Sequence, residues 1–262
     1  MLFRKLTFSL TLASALLGAL AISPTVAQEA LSGQDSFQFN EQPGSAVGFM
    51  PTDRRMPIRT ASGGRRGACI TPDAVGEAVV PLLPSNGGAL SATQSPSFWV
   101  YVPAGTKGIA NFRLTNERQM DIDHQSVTLP EGGGLVKVEL DNDPLEAGET
   151  YQWFFSVNCA ATEDDELLGE GRSRETFVTG WVRYEPLAAD VELAQQSPLD
   201  QAAALAHLGY WHDSLERVAT LQQSGDGGAD GLAAWDQLLT NAGLQLNADG
   251  SITSQLDLVS SR

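Results

Sequence analysis

The sequence predicts a mainly β protein with a C-terminal α unit, an antiparallel two-sheet sandwich followed by a short helical bundle or hairpin. Three observations predict it. From about Cys69 to Tyr184, short segments rich in Val, Phe, Trp, Tyr and Thr alternate with Gly, Pro, Asn and Asp clusters, the texture of a strand-and-turn domain. Within it, Tyr151, Trp153, Phe155, Val157 and Cys159 recur with a period of two, which puts one row of large side chains on one sheet face. After Pro186 the composition shifts to Ala, Leu, Gln, Asp and Glu at helical spacing.

Residues 1–27 read as a secretory signal peptide. Arg4 and Lys5 precede a mostly apolar run, Leu6 to Ile22, and Thr25-Val26-Ala27 offers small residues for cleavage after Ala27. Residues 28–67 read as a flexible basic leader, rich in Gly, Ser, Gln, Pro and Arg and without an apolar period long enough to bury. The sandwich is assigned to residues 68–186. Its strand candidates are Ala74 to Leu83, Phe98 to Val102, Ala110 to Thr115, Gln125 to Leu129, Leu135 to Leu140, Tyr151 to Cys159 and Thr176 to Tyr184.

The segment Leu145 to Tyr151 resembles the tyrosine corner of immunoglobulin-like and fibronectin-like sandwiches, so the two sheets are expected to form an immunoglobulin-like sandwich with the Tyr151 phenol bonded back to the preceding turn. Export makes a disulfide between Cys69 and Cys159 the default expectation for the only two cysteines. Closing so long a loop would stabilise the fold by about 4–5 kcal/mol on a chain-entropy argument. Because Cys69 precedes the first strand, the bridge is expected to pin the start of the domain to its edge rather than to link two core strands.

Residues 187–243 form the helical unit. Pro198 to Gln201 opens a helix carrying Leu205 and Leu208, Gly209 ends it, and Asp213 caps a second helix carrying Leu215, Val218 and Leu221, a hairpin of tetratricopeptide-like texture. A single copy has no neighbour to stack on, so the hairpin is expected to pack against the sandwich. A third helix is expected over Leu232 to Ala242. In the tail, 244–262, Asn247 to Gly250 has the composition of a hairpin turn.

Several motifs share an order and spacing: Arg65 to Cys69, Pro96 to Pro103, Pro144 through Tyr151 to Cys159, Gly180-Trp181-Val182, Leu208 to Leu215, Trp235 to Leu239 and Gly243-Leu244. Together they resemble the domain of unknown function 928 family of exported cyanobacterial proteins, from about Arg65 to Leu244. The resemblance implies export and an architecture, and lends no activity. The acidic insert between Glu163 and Arg174 departs from the pattern.

Sixteen basic and 32 acidic residues give the chain a net charge of −16. Loss of Arg4 and Lys5 with the signal leaves 14 basic residues against 32 acidic, or −18, a poor surface for nucleic acid. Arg54, Arg55, Arg59, Arg65 and Arg66 concentrate the cations in the leader.

Hydrolase signals are missing: neither Gly-x-Ser-x-Gly nor a Cys and His pair announces a nucleophile. His207 and His212 are five residues apart, which on a helix turns them away from a shared metal, and His212-Asp213 reads as a surface pair at a helix start. Glu163 to Glu166 reads as mutually repelling acids in solvent. Asp226 to Gly231 lacks calcium ligands at Gly228 and Gln237. Trp99, Trp153 and Trp181 are expected to fill the core. Tyr210, Trp211 and His212 are the weak ligand-binding candidates, with Tyr210 and Trp211 expected rather to staple the helices to the sandwich.

The expectation is therefore an exported envelope protein of the periplasm or cell exterior, not integral to the membrane, without metal or cofactor. It is read as a non-catalytic binding or structural module for protein or polysaccharide. The alternative is a hydrolase or lyase acting on cell-wall or surface glycans with Asp and Glu carboxylates.

Overall fold

Alternation in the sequence becomes layering in a computed structural model, which describes residues 47–50, 63–64, 78–159, 174–189, 191–247 and 252–254. The strands are β1 (Gly63–Gly64), β2 (Val80–Pro81), β3 (Gly88–Ser91), β4 (Ser97–Val102), β5 (Ile109–Asn116), β6 (Asp121–Val127), β7 (Gly134–Glu139), β8 (Thr150–Cys159) and β9 (Arg174–Tyr184). Helices α1 (Pro198–His207), α2 (Trp211–Ser224) and α3 (Gly228–Asn241) follow, then a small hairpin of β10 (Leu244–Leu246) and β11 (Ile252–Ser254).

Two sheets carry the β layer. One runs β1-β9-β8-β5-β6, with β3 also on β9, and the other runs β2-β4-β7. The predicted aromatic row lies inward: Tyr151, Trp153, Phe155 and Val157 are all buried, alternating with half-buried Gln152, Phe154 and Ser156. From the facing sheet, Phe98 meets Phe112 at 5.0 Å and Trp153 at 5.4 Å between ring centroids, so aromatic contact joins the layers. Gly180 lies opposite Trp153 in the β8–β9 register. A Cβ built there would strike Leu83 Cδ1 and come within 2.9 Å of Trp153 Cε2, so the glycine makes room for the indole. The Tyr151 hydroxyl accepts a hydrogen bond from the Glu146 amide at 2.9 Å, as the tyrosine corner implies.

The structure corrects the strand plan at several points. The six-stranded sheet is mixed rather than antiparallel, because β3 pairs parallel with β9, Gly88 opposite Trp181 through Ser91 opposite Tyr184. Four residues, three of them small, give too short a pattern to announce this strand. The expected Gln125 to Leu129 strand begins earlier, at Asp121, since Asn116 Oδ1 accepts the Arg118 and Met120 amides and closes a tight turn. Of the expected Ala74 to Leu83 strand, only Val80–Pro81 pairs among the described residues.

The helices open and close on local chemistry. Ser197 Oγ accepts the Asp200 amide at 3.2 Å ahead of Pro198, and Gly209 and Gly225 take positive φ (85° and 74°) just beyond α1 and α2. Asp213 does not cap α2, which starts two residues earlier at Trp211 without a side-chain cap. The buried indole, not capping, fixes that end. Pairing of Leu244–Leu246 with Ile252–Ser254 brackets the expected turn at Asn247 to Gly250.

All these elements fall in one compact unit, Glu41–Arg262, and the buried cluster runs without a break from the sheets through Trp211, Leu215 and Val218 to Leu238 and Leu239. The leader, expected to have nothing to bury, contributes Val47, which is fully buried in that cluster, and Phe49, which packs against it. Scattered apolar residues without a period are enough when helices supply the other wall.

Candidate functional site

Tyr210 and the first two residues of α2, Trp211 and His212, make a seam rather than a surface site. Tyr210 is 8% exposed, Trp211 fully buried and His212 2% exposed. Trp211 Nε1 donates to the Leu82 carbonyl at 2.8 Å, and the Tyr210 hydroxyl reaches the Pro186 carbonyl at 3.5 Å. Burial, with Glu185 and Asp213 nearby, holds the Tyr210 phenol above its ordinary pKa. The expected stapling of helices to sheets by Tyr210 and Trp211 is thus what their side chains do.

His212 is not the surface residue expected. Its Nδ1 lies 3.2 Å from the Ser97 carbonyl and its ring is edge-on to Phe98 at 5.1 Å. A carbonyl only accepts, so Nδ1 carries the proton and Nε2 is left as a buried lone pair without a hydrogen-bond partner. Burial drives the imidazole pKa down to about 4 against the opposing Ser97 bond. Asp213 turns its carboxylate inward, where Oδ2 accepts the Ala92 amide at 2.8 Å. Burial raises that carboxyl to about 6, although Ala92, its own amide, Arg217 and Ser91 all pull the other way. His212 and Asp213 thereby hold the two ends of the β3–β4 connection.

A second polar cluster ties α2 to the smaller sheet. Lys137 Nζ lies 2.7 Å from both Glu139 Oε1 and Glu216 Oε1, while Trp99 Nε1 donates to Glu216 Oε2 at 3.2 Å. Desolvation is the largest single influence on Lys137 and lowers its pKa, but the two carboxylates together outweigh it and leave it raised. Trp99 and Trp153 are buried as expected, whereas Trp181 is only half-buried.

Among the described residues, a groove of about 600 Å³ opens between the β4–β5 and β6–β7 connections, lined by Thr106, Lys107, Ile109, Ser126, Leu129 and Glu131 among others. Ile109 is 67% exposed on its wall. Two glycines fix its shape. Gly108 (φ 143°) leaves no room for a Cβ against the Asn158 carbonyl, and Gly133 (φ 72°) sits so close to Pro103 and Ala104 that a Cβ there would approach the Ala104 Cα to 2.7 Å. Sequence reasoning missed this groove; its signal was the glycine density at 105–108 and 132–134.

Other candidates resolve more simply. Cys69 and the Glu163 to Glu166 cluster lie outside the described residues, as does the side chain of Cys159. The third helix, expected from Leu232, already begins at Gly228. His207, exposed at the end of α1, is on a different helix from His212. Among the described residues, no group of three His, Cys, Asp or Glu could hold a metal ion, and no helix is long and apolar enough to cross a membrane.

The profile of a protein family described as Domain of Unknown Function (DUF928) matches residues 61–252. No curated protein matches. Among solved structures, FlgD from Xanthomonas campestris, described in connection with hook capping in flagellar assembly, is 22% identical over 38% of this chain and 68% of its own. Its TM-score is 0.25, a value at which no common fold is implied.

Proposed function

The chain belongs to the domain of unknown function 928 family, and from that membership we propose that it works outside the cytoplasm as a non-catalytic binding or structural module of the cell envelope, for protein or polysaccharide partners. The observation that carries this reading is where polar and apolar groups are offered to solvent. The most strongly perturbed titratable groups, His212 and Asp213, make their polar contacts with the β3–β4 connection, whereas hydroxyls, one lysine, one glutamate and the exposed Ile109 meet in the groove at the end of the sandwich. A preformed recess with mixed polar and apolar walls suits recognition, since little ordering is left to be done on binding. Export is supported by the cationic and apolar N-terminal sequence.

The test is capture of partners from envelope extract, and titration with surface polysaccharides, by the purified chain and by Ile109→Asp. Binding that the substitution weakens at least about tenfold supports the reading. Turnover of cell-wall glycans above background, lost in a carboxylate variant, would replace it with the hydrolase or lyase alternative.

A further inference from the structure

The segment Val47–Met50 is held by the helices in a way that separates what is recognised from what is not. Val47 is fully buried, and its carbonyl accepts from Asn241 Nδ2 of α3 at 3.2 Å. Phe49 meets Trp211 of α2 edge-on, with centroids 5.0 Å apart and planes at 80°. The Met50 amide donates to the carbonyl of Ala206 in α1 at 3.1 Å. Between the anchors, a Cβ built on Gly48 meets nothing within 4 Å, and Met50 is 50% exposed. Each of the three helices thus contributes one contact to a tetrapeptide that makes no helix or strand of its own.

We propose that the α1–α3 layer is a peptide-binding site for a short linear motif, aliphatic then any residue then aromatic, and that Val47–Met50 is its resident ligand, bound within the same chain. The site reads two side chains and two backbone groups. That is the economy of a recognition motif, and it leaves the second and fourth positions free to vary. Because the ligand is tethered, it competes at an effective concentration on the order of mM with any like motif from another chain. A segment anchored at so few points is also expected to open without the core opening. This site is separate from the groove at the end of the sandwich and stands or falls without it.

The probe is a synthetic peptide of residues 44–52, titrated into the full-length chain and into full-length Val47→Asp/Phe49→Ala, with tryptophan emission and calorimetry as readouts and circular dichroism as the check on folding. The double variant is expected to bind the peptide one to one, and the wild-type chain at least about tenfold more weakly. A peptide carrying Phe49→Ala should also lose about tenfold or more. A folded variant that ignores the peptide, or that takes the substituted peptide equally well, overturns the proposal. If the variant does not fold, hydrogen exchange on the wild-type chain decides. The Met50 amide should exchange at least about a hundredfold faster than the Leu215 amide within α2, and equal rates would make the segment a fixed part of the core.

Discussion

His212, buried, and Asp213, half-buried, are consecutive in the first turn of α2, and desolvation has opposite consequences for their protons. Asp213 titrates near 6 in the fold against 3.8 unfolded, so between those values the folded chain holds a proton that the unfolded chain has lost, and stability falls as pH rises. His212 titrates near 4 against 6.5, so over that window the unfolded chain holds the extra proton and stability rises with pH. Each slope is about 1.4 kcal/mol per pH unit, and from pH 4 to 6 they cancel. Asp213→Asn should therefore make stability climb from pH 4 to 6.5, and His212→Gln should make it fall from pH 4 to 6. Urea melts across that range check both slopes, and parallel curves for all three chains would refute the pairing. At the same scale, Trp211→Phe replaces the indole with a smaller phenyl ring and strands the buried Leu82 carbonyl, and should cost at least about 1–3 kcal/mol in chemical denaturation.

Glycine placement decides what the elements can do. Gly180 clears β9 for Trp153, so Gly180→Ala must push the indole or Leu83 out of a filled core. A loss of about 1–3 kcal/mol, read as a lower melting midpoint, is the expected outcome of such overpacking. Gly133→Ala meets both a positive φ and the backbone of residues 103–104. It should destabilise by more than about 1 kcal/mol and weaken whatever binds the groove, because the recess depends on how closely the two connections approach. On the opposite edge of the sheet, β9 carries β3 and β1, so the outer strand left on this sheet is β6. Its hairpin with β5 slips register beside Leu114 and Thr115, and Asp121 is exposed there, the usual protections of an edge against unwanted pairing.

At the scale of the whole molecule, the aromatic rings of the sheets and the apolar faces of α2 and α3 share one buried cluster. Sheets and helices should therefore unfold together. Far-ultraviolet and near-ultraviolet circular dichroism ought to give coincident melts, and an earlier helical transition would show that the seam at Trp211 is not the junction argued here. If Cys69 and Cys159 are joined as export leads us to expect, mass spectrometry of the secreted protein will find no free thiol. Reduction will then lower stability by up to about 4–5 kcal/mol.

The periodicity of Tyr151 to Val157 by itself determined that β8 would face a core, because an alternation of two fixes which side of a strand is buried. The bond from Tyr151 back to its turn and the helical texture after Pro186 were legible for the same reason, since they depend on residues close in sequence. Tertiary structure alone decided the rest. The parallel union of β3 with β9, the burial of His212, the inward turn of Asp213 and the docking of Val47 on α3 all join residues far apart in the chain. No local pattern encodes such pairings: a histidine beside an aspartate reads as solvated until a distant carbonyl and a phenyl ring arrive to enclose it. The groove was hidden for a related reason, because glycines announce freedom in a sequence and reveal how close two loops come only after the loops have met.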